Sequence, residues 1–159
     1  MPPNFINLFG EHMAITKSIR LAIHSNISNI GEGGVREGAA EITDSAHDAE
    51  MTVTESSVII KYKETTEGGD VISKITSEGD TVTVERSGAI RSVMVFKPGS
   101  VYRSLYEIPP FSFDMAITVK AMKNSITLFG GSADILYTMD IGGAQKSCRM
   151  KITLGGGEL

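Results

Sequence analysis

Residues 80–99, DTVTVERSGAIRSVMVFKPG from Asp80 to Gly99, decide how the rest of the chain is read. Val82 and Val84 alternate with Thr81, Thr83 and Glu85, the period of two that marks a half-buried strand. Ser87-Gly88-Ala89 interrupts the alternation and Ile90 to Phe96 resumes it, so the stretch reads as a β-hairpin. Residues directly opposite in an antiparallel pair share a face. A two-residue Gly88-Ala89 turn sets Val84 against Val93 and strands Met94 and Phe96 on the other face. An odd-length connection, or a bulge near Gly88, sets Val82 and Val84 with Met94 and Phe96. That register gives one strongly apolar face and is the one expected.

The same alternation runs on both sides of the hairpin. Before it, Ile19, Leu21, Ile23 and Ile27 mark a long first strand, with Arg20, His24 and Asn26 on the opposite phase. GEGGVREG, Gly31 to Gly38, reads as a flexible loop, and residues 39–54 as one interrupted strand or two short ones. Val58, Ile60 and Tyr62 share a face of the next strand, and Val71 to Ser77 forms a weaker one. After the hairpin, Val101 to Tyr106 is a strand halted by Ile108-Pro109-Pro110. Phe111, Phe113, Met115, Ile117, Val119 and Ala121 give the cleanest alternation in the chain. Ile135, Tyr137, Met139 and Ile141 continue it, then Cys148, Met150, Ile152 and Leu154.

No amphipathic helix survives, and the connections are turn-like, so consecutive strands should pair antiparallel. The expected fold is all-β: a calycin- or lipocalin-like meander barrel of about eight to ten strands, with a sandwich as the alternative. Phe96, Phe113, Met115, Ile117, Val119, Ile135, Met139, Met150 and Ile152 should be deeply buried. Residues 1–13, MPPNFINLFGEHM, show no sustained period and are set apart as a disordered leader or cloning-derived segment, leaving one barrel domain over residues 14–159.

Composition narrows the function classes. The chain has 159 residues, 41% of them hydrophobic and 21% charged, which suits a single globular domain. A net charge of −4 gives no general attraction to phosphate backbones or anionic lipid, so neither nucleic acid nor membrane is the expected partner. Cys148 is the only cysteine, which excludes an internal disulfide and a cysteine-based zinc cage and suits a reducing, cytoplasmic setting. His12, His24 and His47 show no metal-ligand or triad spacing, and the Gly-rich stretches do not lead from a strand into a helix as a phosphate loop must. No metal, cofactor or catalytic residue is expected, and the oligomeric state stays open, a homodimer included.

With the motifs placed, the chain resembles the YwiB-like family of uncharacterised bacterial proteins. The residues that carry the resemblance are the RSGA of Arg86 to Ala89, Phe96 six positions after Ile90, Gly99, Tyr106 with Pro109, and LYTMDIGG from Leu136 to Gly143. It runs from about Met51 to Leu154, the first strand matching more loosely. Ile108 and Phe111 stand where the family tends to carry threonine and glycine. The resemblance implies a calycin-like β-barrel and brings no established activity.

Polar residues on apolar phases are the remaining signal. Arg86 continues the phase of Val82 and Val84, Arg103 lies between Val101 and Leu105, Tyr62 follows Val58 and Ile60, and Tyr137 lies between Ile135 and Met139. If those phases face the lumen, two guanidiniums and two phenols point into an apolar barrel. A buried arginine needs a partner, because desolvating it alone is very costly. A ligand carboxylate held by Arg86 or Arg103, with Tyr62 or Tyr137 adding a hydrogen bond, would supply one. The expected activity is therefore non-enzymatic binding of a small amphipathic or anionic molecule in the lumen. The alternative is a barrel with a side-chain-filled lumen whose surface binds another protein, with Arg86 and Arg103 paired to the chain's own carboxylates or reaching the rim. Met94, Met115, Met139 and Met150 are expected to be gap-filling core.

Overall fold

The Asp80–Gly99 stretch forms the hairpin in the expected register: Val82 faces Phe96, Val84 faces Met94 and Arg86 faces Ser92. The computed structural model describes residues 4–8 and 12–155. Among them the strands are β1 (Asn4–Leu8), β2 (His12–Ile30), β3 (Arg36–Val53), β4 (Val58–Thr66), β5 (Gly69–Glu78), β6 (Thr81–Gly88), β7 (Arg91–Phe96), β8 (Val101–Ile108), β9 (Phe111–Asn124), β10 (Gly131–Ile141) and β11 (Ala144–Gly155). From β2 to β11 each strand pairs antiparallel with the next, and β2 also pairs with β11, so ten strands close into a barrel. This is the all-β, calycin-like meander expected.

Part of the leader expected over residues 1–13 lies outside the described residues, at 1–3 and 9–11. Where the chain is described, Asn4–Leu8 pairs with His12–Thr16. Residues 36–53 form one continuous strand, although Glu37 to Asp48 has little apolar content. The reason is its partner: β2 pairs with β3 from Ile15 opposite Val53 to Ile30 opposite Arg36, so one long strand templates the other.

Period-two alternation points every second side chain inward. Leu21, Met51, Ile60, Ile75, Phe96, Ile117 and Ile152 are fully buried and pack the lower part of the lumen. Of the residues expected in the core, Phe96, Met115, Ile117, Val119, Ile135, Met139, Met150 and Ile152 are buried. Phe113 is the correction, at 40% exposed. It keeps the inward phase of Met115, but pairing between β9 and β10 ends at Met115 opposite Ile141. The first residues of β9 therefore extend past the barrel rim, and the phase no longer has a lumen to face.

Candidate functional site

The upper part of the lumen is different. Its end carries the turns after β4, β6, β8 and β10, together with the β2–β3 loop. A cavity of about 300 Å³ lies there, lined by Arg86, Tyr106, Tyr137, Met94, Met115, Met139 and Met150 among others. The four methionines expected as gap-filling core are buried and also line this cavity, their flexible thioethers forming part of its wall.

Register explains how Arg86 comes to be there. β5, β6 and β7 place Ser73, Arg86 and Ser92 side by side on the inner face, Tyr62 on β4 lies beyond Ser73, and Tyr106 on β8 lies beyond Ser92. This rung is polar in the middle of an otherwise apolar wall. Ser73 Oγ, Arg86 Nε and Ser92 Oγ are all buried and meet no hydrogen-bond partner. They are the buried side-chain polar atoms left unmatched among the described residues, and they are neighbours. No carboxylate of the described residues lies within ion-pairing distance of Arg86; the acids that do form pairs serve other cations. Glu41 and Lys146 stand at the mouth of the same cavity, where Lys146 Nζ donates to Asn29 Oδ1 at 2.9 Å.

The Arg86 charge acts on both phenols, of which Tyr137 lines the cavity and Tyr62 lies beyond Ser73 on the same rung. Burial pushes the Tyr62 phenol above its ordinary pKa, and the Arg86 charge and the adjacent Ser73 hydroxyl act to lower it. Burial likewise raises Tyr137 well above the usual phenol range, reinforced by the neighbouring Cys148 and opposed by Arg86. The Cys148 thiol, opposite Tyr137 in register, is itself pushed up to about 11 by burial. Both phenols and the thiol are neutral donors at physiological pH. Tyr137 also packs edge-on against Phe96, with ring centroids 4.9 Å apart, which holds the phenol in place.

Of the four residues singled out from the sequence, Arg86, Tyr62 and Tyr137 therefore come together, and Arg103 does not. Arg103 pairs in register with Ala116 on the outer face and lines an external groove with Asp114 and Asp140. Its neighbours Val101 and Leu105 are exposed apolar residues. The inward phase of β8 is Tyr102, Ser104 and Tyr106, which face Ile117, Met115 and Phe113.

Reading the phases alone also passed over Ser73, Ser92, Tyr106 and His47. The hairpin register sets Ser92 opposite Arg86, so that hydroxyl was computable from the sequence. His47, which showed no metal-ligand or triad spacing, shares the phase of buried Ala49 and Met51 and stacks on Tyr62 at 4.7 Å between ring centroids. β3 and β4 pair only from Glu50 opposite Lys61 to Val53 opposite Val58. Above that the two strands part, and the His47–Tyr62 stack fills the gap between them.

A family model described as "Domain of unknown function (DUF1934)" matches residues 28–153. Among solved structures, the chain is similar to one described as "Crystal structure of ywiB protein from Bacillus subtilis", with a TM-score of 0.75 and 22% identity over 90% of this chain and 94% of that one. At that identity the likeness is one of fold. No curated protein sequence matches the chain.

Proposed function

The chain belongs to the DUF1934 family, whose description assigns no activity, and from that premise we propose that its barrel is a binding module that takes a small amphipathic anion into the upper lumen. The observation that carries this reading is Arg86, whose buried Nε has no partner and whose side chain lines a cavity of about 300 Å³. That volume falls at the lower end of ordinary small-molecule sites, which run from about 300 to 1,000 Å³. A guanidinium with no carboxylate partner, with the Tyr106 and Tyr137 phenols lining the same cavity, is a donor set for a carboxylate. The methionine wall suits an apolar body whose shape need not be tightly specified. Arg103 has no part in this reading.

Titration calorimetry with decanoate, and with decanol as the uncharged control, tests it. Decanoate should bind and decanol should bind far more weakly. Arg86→Met should weaken decanoate by about 2–5 kcal/mol while sparing what little decanol binding exists. Equal affinity of wild type and Arg86→Met for decanoate would sink the assignment of Arg86. The alternative, a filled lumen with a protein-binding exterior, predicts no binding of either compound.

A further inference from the structure

The mouth of the cavity carries an apolar overhang. Ile108, Phe111 and Phe113, at the far end of the β8–β9 hairpin, are 42%, 64% and 40% exposed. Ile108 faces Phe111 and Tyr106 faces Phe113, so all of them occupy the inner face of the hairpin. That face continues into the lumen through Tyr106 and Met115, which line the cavity together with Arg86.

The overhang is fastened to the barrel. Gly142 N, in the β10–β11 turn, donates to Asp114 O at 2.8 Å, and the Phe113 ring lies against the same glycine. The cavity is also lined by Glu41 of β3 and Lys146 of β11. The β8–β9 overhang is thus an apolar surface continuous with a cavity that holds Arg86.

We infer that Ile108, Phe111 and Phe113 form the second half of the ligand site, and that the ligand is an alkyl carboxylate too long to be enclosed. Its charge sits on Arg86, and its chain leaves the lumen over Phe113 and lies on the overhang. The inference rests on the reading of Arg86 as the partner of an anion. Continuity of the apolar surface with the cavity that Arg86 lines favours this occupant. Burying an alkyl chain there removes from water the large rings that the free protein leaves exposed.

Calorimetric titration with hexanoate and dodecanoate, on wild type, Arg86→Met, Phe111→Ser and the double variant Ile108→Ser/Phe111→Ser, tests the assignment. In wild type each methylene that reaches the overhang should tighten binding about fourfold. The serine variants should weaken dodecanoate about tenfold or more and leave hexanoate unchanged, while Arg86→Met weakens both. Serine variants that bind dodecanoate as wild type does, with Arg86→Met still weakening both acids, would overturn the overhang and leave the lumen reading standing. No binding of either acid by wild type would overturn both. A wild-type dimer that Phe111→Ser dissociates in sedimentation would assign the overhang to a second copy of the chain and overturn the inference. Should the double variant melt early, Phe111→Ser alone decides, since Phe111 is the most exposed of the three.

Discussion

Arg86 is held where a charge is expensive, between two serines whose hydroxyls are buried without partners. Leaving a buried hydroxyl unmatched costs about 1–3 kcal/mol. Ser92→Ala should therefore leave the free protein as stable or raise its stability by up to about 1 kcal/mol in urea unfolding. A loss of more than about 1 kcal/mol would mean that Ser92 has a partner in the free protein after all. Arg86, Tyr62 and Tyr137 were legible in the sequence because each sits on a phase whose other members are buried. Arg103 was misread for a physical reason. Alternation separates two faces of a strand but does not say which is inside, and β8 carries Val101 and Leu105 outward while turning two tyrosines and a serine inward.

The β6–β7 hairpin places Arg86, and one glycine sets its geometry. Gly88 has a φ of +104°, and a Cβ there would come within 2.3 Å of the Asp70 carbonyl oxygen. That carbonyl accepts a hydrogen bond from Ala89 N at 3.0 Å, so it has little freedom to retreat. Gly88→Ala should destabilise the fold by roughly 3 kcal/mol or more from backbone strain and the clash together. It should also weaken decanoate by displacing Arg86, two residues away. A thermal melt unchanged from wild type would show that the turn relaxes freely. The odd-length register of this hairpin followed from the sequence, because only that register gathers its apolar residues on one face. The continuity of β3 did not follow, since Glu37 to Asp48 owes its strand to pairing with β2 rather than to its own pattern.

The whole barrel divides into a packed lower part and a hollow upper part, and its neutral buried donors tie its stability to pH. Cys148 ordinarily titrates at 9.0 and in the fold at about 11, and Tyr137 moves upward from 10.0. In both cases the unfolded chain loses its proton first. Their contribution is complete below about pH 9 and is lost as pH rises through the folded values. The urea midpoint should fall between about pH 8 and pH 11, and fall less in Cys148→Ala. A Cys148→Ala profile parallel to wild type would remove the thiol from this account. The closing seam has a consequence in time. Every other pairing in the barrel joins strands adjacent in the chain, but Lys146 meets Asn29 across 117 positions. During synthesis β2 to β10 can assemble only as an open, curling sheet, and the ring shuts when β11 arrives. Until then the cavity beside Arg86 lacks the wall that Lys146 and Met150 of β11 supply, so the last event of folding is also the one that completes the site. An anion captured at that moment would act on the rate of closure as well as on the finished barrel.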